Sequence, residues 1–415
     1  MAVEVHTLDN GLRVVLYRHK IDSVYMTLIN RGSARFERPE ELGISHILEH
    51  LLVRDPEMIY KIESLGEGLS NAETGSEEIS YYFSFPHRNT LRGAKLMFRL
   101  WTTPISAREF ELERRTITTE YIEETADPNF ALDDLFRSTA LRGHPLEQDD
   151  TRRWQKNLPN LTLEQFAEFR QKTQCGRNTV LTVVGNVPTQ PFLDVVRNGL
   201  DGMSAGELLP IKKFPLTPLE KFTVVKDVRP IDQVHCLLGF AHSELNARER
   251  LARSVLSTYL GGCTLFSSVL FRKIREERAL VYYIESDTET FYDSGAWVVK
   301  WICAPGDVET VLNLVLEEIV KISRDGMPLK EFRRSRHILA LNRESELEEP
   351  VTISEALAEE TIRYGKPSDP ARWPAQVRRA RQEEVIEFAQ KHLNPQRAVL
   401  AMFGPVENLE PRILV

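Results

Sequence analysis

Glu164–Lys172 reads EQFAEFRQK, and 219 residues later Glu383–Lys391 reads EEVIEFAQK. The match runs on without a gap: Val180-Leu181 meets Val399-Leu400, and Gly185 meets Gly404. In each copy a helical stretch feeds a short apolar run that ends on a glycine, as in TVLTVVG at 179–185. A helix delivering the chain into a buried strand is the reading in both places. Two unrelated helix–strand units could match by coincidence, but a duplicated domain accounts for the ungapped length better. The period is too long for a solenoid of stacked repeats.

Working outward, the segment between the copies changes texture. GMSAGELLPIKKFPLTPL at 202–219 carries three prolines and no helical period, which marks a linker. The expected division is a domain at 1–203, a linker at 204–219 and a second domain at 220–415. A chain of 415 residues has room for two or three domains, each large enough to bury a core. Strands are predicted at Gly11–Arg18, Val24–Asn30, Phe222–Val228 and Gln233–Phe240, and an apolar, partly alternating stretch runs over Leu69–Phe85. Helices are predicted near Leu42–Val53, Asn89–Thr102, Ala107–Thr125, Phe130–Ala140 and Ala247–Leu260. Strands and helices mix without strict βαβ alternation, so the fold class is α+β.

Composition narrows the function classes. The net charge is −8 and the pI about 5.8, which argues against a general nucleic-acid binder. No apolar run approaches the ~18–20 residues of a membrane helix. The first residues lack a basic end followed by an apolar core, so a cytoplasmic location and no membrane partner are expected. Cys175, Cys236, Cys263 and Cys303 lie far apart without a CxxC pair, which fits reduced, buried thiols. Phosphate-cradling glycine motifs and a G-x-S-x-G elbow are both missing. The remaining histidines, the acidic run Glu344–Glu349 and the five tryptophans carry no ligand spacing and read as structural or solvated.

The strongest chemical signal is HILEH at 46–50. On a helix, residues i and i+4 share a face one turn apart, so His46 and His50 can offer imidazole nitrogens to one divalent ion. Zinc suits imidazole and carboxylate ligands and keeps an open position. Glu49 is placed to take a proton from water at such an ion, whose pKa falls to about 7. Ile47, Leu48, Leu51 and Leu52 say that the helix is largely buried, where two histidines and an acid need a partner.

A hydrolytic site needs a third protein ligand. ELERRTITTEYIEE at 111–124 offers several acids on one predicted helix; Glu113 and Glu120 are two turns apart and share a face. One could reach the metal while the other holds a histidine N–H from behind. Spacing does not choose between them, and Glu123 and Glu124 read as solvated.

These residues resemble the pitrilysin-type inverted-zincin metallopeptidases, which include mitochondrial processing peptidase and insulin-degrading enzyme, over essentially the whole chain. Gly43–His50 is similar to the family's zinc helix, and Ser70-Asn71-Ala72-Glu73-Thr74 to its segment at the strand that receives substrate. Glu113-Arg114 and Glu120 resemble its second glutamate motif, and Gly143-His144-Pro145-Leu146 also fits. The resemblance implies that Glu120 is the third zinc ligand, that Glu113 supports it, and that Asn71 and Ala72 pair with substrate backbone. It further implies two homologous domains, each a mostly antiparallel mixed sheet packed with helices, and a chamber built from four such domains. Arg275 and Tyr282, after Leu260-Gly261-Gly262, resemble the family's arginine–tyrosine pair. Arg275 would hold a peptide carbonyl or terminus, and Tyr282 would donate to the oxyanion.

Shifting His46, Glu49 and His50 by 219 residues lands on Leu265, Ser268 and Val269, while Gly43 lands on Gly262. One Zn2+ per chain, in the first half, is therefore expected. The chain departs from the family where LLVRDPEMIYKIE follows the histidines without the usual turn, and where Ala279 replaces the usual glycine before Leu-x-Tyr. The expected activity is zinc endopeptidase action on short or unfolded polypeptides, as a homodimer or paired with a related chain. The alternative is a non-catalytic subunit of the same fold that binds or assembles other proteins; such relatives usually lose part of the motif, which is intact here.

Overall fold

The computed structural model describes residues 3–66, 70–262 and 266–415. Leu69, Cys263 and Leu265, used above, lie outside the described residues. The first half of the chain runs β1 (Val3–Thr7), β2 (Arg13–Tyr17), β3 (Ser23–Arg31), α1 (Ile44–Leu52), α2 (Pro56–Glu63), β4 (Ser70–Thr74), β5 (Glu78–Pro86), α3 (Thr90–Thr102) and α4 (Ala107–Glu124). It continues with α5 (Pro128–Ala140), α6 (Thr151–Asn157), α7 (Leu163–Thr173), β6 (Thr179–Val184) and α8 (Thr189–Gly199). The second half runs β7 (Thr223–Val228), β8 (Val234–Ser243), α9 (Ala247–Leu260), β9 (Val281–Thr290), β10 (Ser294–Cys303), α10 (Val308–Asp325), α11 (Leu329–Glu346), α12 (Pro350–Tyr364), α13 (Trp373–Val377), α14 (Gln382–His392) and β11 (Val399–Gly404).

The first sheet has the order β1-β2-β6-β3-β5-β4 and the second β7-β11-β8-β10-β9. The second repeats the first from β2 onward, strand for strand. In each, one parallel pair (β2 with β6, β7 with β11) sits beside antiparallel neighbours. Both sheets are covered on both faces, which is why their inner strands read as unbroken apolar runs. In β2, Val14 and Leu16 face a core with Ile47 and Leu48 of α1, Phe98 of α3 and Phe166 of α7. Val15 and Tyr17 point the other way, against Ile353, Leu357 and Ala358 of α12. In the second sheet, Leu238 and Phe240 join the core of α9, α10 and α14. The opposite face, with Leu237, Val298 and Ala401, takes Leu132 and Phe136 of α5. Gly239 is required there, because a Cβ would stand 2.2 Å from the Phe136 ring.

These packings correct the expected single cut between domains. The chain divides into two compact units, but the first gathers Met1–Ile122, Arg152–Ile211 and Glu344–Arg372, and the second gathers Glu123–Thr151, Lys212–Arg343 and Trp373–Val415. The physical reason is a reciprocal exchange: α12, late in the chain, covers the first sheet, and α5, early in the chain, covers the second. Within the first unit, Ser354 of α12 meets Thr27 and Thr182 at 2.8 Å each.

The repeat also needs a different register from the uniform 219. α1 packs against α7 and β4, and α9 packs against α14 and β9, so α9 is the counterpart of the histidine helix. Ser268 and Val269 lie beyond α9, ahead of a π-helical segment at Phe271–Glu276. The α4 and α11 helices align at Glu109-Phe110 and Glu331-Phe332, which sets Glu113 against Ser335 and Glu120 against Asn342.

Candidate metal centre

The site begins with how α1 starts. Gly43 is left-handed, with φ 89°, a conformation glycine adopts readily. A Cβ there would press on the Tyr121 hydroxyl at 3.2 Å and on Trp154. The first helical donors find an acid from outside the helix: Glu37 accepts from the Gly43 and Ser45 amides at 2.9 Å each. A carboxylate at that end suits both the unpaired N–H groups and the helix dipole. From this anchored start, His46 and Glu49 turn into the interior and His50 is partly buried.

The second wall is α4, which buries Phe110, Glu113, Ile117 and Tyr121 along one stripe and brings Glu120 beside it, half-exposed. His46 Nε2 and His50 Nε2 stand 3.1 Å apart. Glu120 reaches both, at 3.1 Å from His50 Nε2 and 3.6 Å from His46 Nε2. One ligand atom from each of these three residues fits within a 4.8 Å span, and among the described residues no other such group occurs. Two nitrogens bound to one zinc ion at about 2.0–2.1 Å in tetrahedral geometry stand about 3.3–3.4 Å apart, close to the spacing seen here. The donor set, two imidazoles and a carboxylate, therefore fits zinc.

Each imidazole is held from behind. His50 Nδ1 donates to Glu113 Oε1 at 2.9 Å, and His46 Nδ1 meets the Tyr121 hydroxyl at 3.1 Å. Occupied Nδ1 atoms fix the rings so that both Nε2 atoms face inward. Glu113 is in turn contacted by Arg54 at 3.3 Å, and Arg54 also donates to the Glu109 carbonyl at 2.6 Å. Glu49 stays outside this set: its Oε2 accepts from Thr74 Oγ1 at 3.1 Å and lies 3.8 Å from His46 Nε2.

The electrostatics follow from burial and pairing. Burial, then the neighbouring His50, pushes His46 down to about 4. Burial also opposes charge on His50, but Glu113, Glu120 and Glu49 outweigh it and raise it to about 10. An ion taking His50 Nε2 must displace a proton, so binding weakens as pH falls. The contact with His50 holds Glu120 below the ordinary carboxylate range. Burial lifts Glu49 above it, in the direction that suits a group exchanging protons near neutrality.

Asn71 and Ala72 lie on β4, the outer strand of the first sheet, opposite Tyr82 and Tyr81 of β5. In the second unit, the Arg275 guanidinium lies 4.7 Å from the Phe271 ring centre and 5.4 Å from that of Tyr282, whose side chain is 74% exposed. The spacing of the acids did not distinguish Glu113 from Glu120; the fold does, with Glu120 at the Nε2 atoms and Glu113 behind His50. Sequence reasoning gave no role to Tyr121, Thr74 or Arg54. Their contacts cross between elements, and the one local hint was that Tyr121 directly follows Glu120.

The same fold recurs elsewhere. Residues 13–150 match the family model described as Insulinase (Peptidase family M16), and residues 160–339 match Peptidase M16 inactive domain. The chain belongs to peptidase family M16. An uncharacterized zinc protease of Rickettsia felis is 26% identical over 398 residues, covering 93% of this chain and 94% of the relative. One from Mycobacterium leprae is 27% identical over 409 residues, covering 96% and 91%. Among solved structures, a protease from Helicobacter pylori superposes with TM-score 0.87 at 18% identity, covering 97% of this chain and 99% of that one. A chain of complex III2 from Candida albicans superposes with TM-score 0.83 at 17% identity, covering 99% and 97%. At such identities these two show a shared two-domain fold. Among the described residues no helix is long and apolar enough to cross a membrane.

Proposed function

We propose that this chain is a zinc-dependent endopeptidase that hydrolyses peptide bonds in short or unfolded polypeptides, with one zinc held by His46, His50 and Glu120. The observation that carries the reading is the convergence of those three side chains within 4.8 Å, with the Glu49 carboxylate beside them and outside the ligand set. Zinc supplies Lewis acidity there, polarising a peptide carbonyl and acidifying a water. Glu49 takes the proton of the attacking water and returns it to the leaving amine, and Thr74 keeps its carboxylate aimed. Asn71 and Ala72 pair with an extended substrate as an added strand. Arg275 holds substrate and Tyr282 donates to the developing oxyanion. The dispersed cysteines, without a CxxC pair, support a cytoplasmic enzyme, and the family resemblance supports a chamber completed by a second chain, the same or related. The intact ligand set speaks against a purely assembling role. The test is Glu49→Gln: it should keep zinc and lose cleavage of an unfolded polypeptide by about 10²–10⁴-fold. Full activity in that variant would overturn the mechanism.

A further inference from the structure

The chemistry of the site does not by itself say what it selects, but its sheet edge does. β4 ends the first sheet, and among the described residues β5 alone pairs with it. Its outer side offers the backbone donors and acceptors on which an extended polypeptide can be added. Side chains on such an edge alternate between two faces. Thr74, with Ala72, faces the side where it reaches Glu49 at 3.1 Å. Glu73, with Asn71, faces the other side, where the partners on β5 are Ser80 and Tyr82.

That second face is acidic. Glu73 is exposed and Glu355 of α12 is half-buried. Glu355 is held above its ordinary range by burial and then by the charge of Glu73. Tyr82 is raised by burial and by the charges of Glu73 and Glu355. Neither acid makes an ion pair among the described residues. Arg363 of α12 is already engaged by Glu78 at 3.5 Å and Glu77 at 3.8 Å. The open edge provides the binding surface, and Glu73 gives one of its faces a sign.

We propose that Glu73 is a specificity-determining residue: in a polypeptide lying along β4, the side chain on Glu73's face and opposite it is selected for positive charge, lysine or arginine. The inference rests on the peptidase reading above. Cross-strand neighbours stand about 4.5–5.5 Å apart at Cβ, close enough for one carboxylate to discriminate. Residues one position to either side face Thr74 instead and escape this selection.

The experiment digests unstructured peptides that differ only in carrying Lys, Gln or Glu at each successive position, with cleavage followed by mass spectrometry. The wild type should cleave the Lys peptide about 5-fold faster than the Glu peptide at one position, judged by kcat/KM. Neighbouring positions should show little difference. Glu73→Gln should shrink that ratio, Glu73→Lys should invert it, and Glu355→Gln should reduce it in part. Cleavage by the wild type without charge preference, or a preference that survives Glu73→Lys, overturns the inference and leaves the peptidase reading standing. No cleavage of any peptide by zinc-loaded wild type overturns both.

Discussion

Helices α1 and α9 fill the same position in their units, one against α7 and β4, the other against α14 and β9. They are reached differently. Twelve residues separate β3 from α1, but only three separate β8 from α9. The longer approach carries Glu37, which caps α1 from outside the helix. α9 caps itself: Asn246 accepts from the Arg248 and Glu249 amides, and the Glu249 side chain accepts in return from the Asn246 amide. They are also used differently. α1 turns two imidazoles and an acid inward, where an exchangeable divalent ion can meet them. α9 turns Arg253 inward, where it donates to His242, the Glu289 carbonyl and Thr290. On the proposed reading, one copy borrows its interior cation and the other has it built into the chain, which leaves the first with an open position for chemistry.

The sharpest break of this comparison is at the third ligand. Glu120→Ala should lose bound zinc and reduce cleavage on the order of 10³-fold or more. Asn342→Ala, at the matching place on α11, should stay within about twofold of wild type. Zinc content after dialysis and cleavage of an unfolded polypeptide check both. Equal losses in the two variants would mean that the second copy takes part in metal binding after all.

Next in size is the helix exchange. Phe136→Ala removes the ring that lies on Gly239 and should cost about 3–5 kcal/mol. Leu357→Ala, on α12 against the first sheet, should cost about 2–5 kcal/mol. Urea unfolding monitored by circular dichroism measures both. A loss in one variant only would show that the exchange matters to one sheet and not to the other.

How much of this was legible in the sequence depended on whether the physics was local. His46 and His50 were legible because i and i+4 share a helix face wherever the helix sits. The strand–helix units were legible from their apolar runs, and α5 was foreseen near its true limits. Which sheet α5 or α12 would cover was not legible, because an amphipathic helix records that it has a buried face and not what buries it. The uniform shift of 219 failed at α1 because the approaches to α1 and α9 differ in length, while α7 with α14 and β6 with β11 keep it. Tyr121, Thr74 and Arg54 could not be assigned because each reaches its partner across a gap that only the tertiary fold closes.

The buried histidines offer a pH test. In the second unit His242 is pushed down to about 3 by burial and then by Arg253. Its unfolded value is about 6.5, so between the two the unfolded chain binds a proton that the folded one refuses. That contribution is complete above pH ~6.5 and is lost as pH falls toward 3. Burial raises Asp134 and Glu289 of the same unit to about 7, and these act with the opposite sign. The difference between wild type and His242→Gln therefore isolates the histidine: the two melting curves should converge as pH falls from 7 to 4. Parallel curves would show that His242 is not held neutral.

The smallest effect contrasts two left-handed residues. The first unit spends a glycine, Gly43, where the chain turns left-handed at the start of α1. The second unit has Ala279 at φ 53°, the one non-glycine with positive φ among the described residues. It closes the π-helical segment, with its amide donating to the Arg275 carbonyl at 2.9 Å and the Leu280 amide to the Ile274 carbonyl at 3.1 Å. A Cβ in this region costs about 1–2 kcal/mol, and glycine returns part of that gain through a freer unfolded chain. Ala279→Gly should therefore stabilise the protein by about 0.5–1 kcal/mol, seen as a small rise in Tm, with zinc content unchanged. A fall in Tm would mean that the methyl group makes packing contacts worth more than the strain. In that case the second unit gains from the very residue that departs from the family pattern.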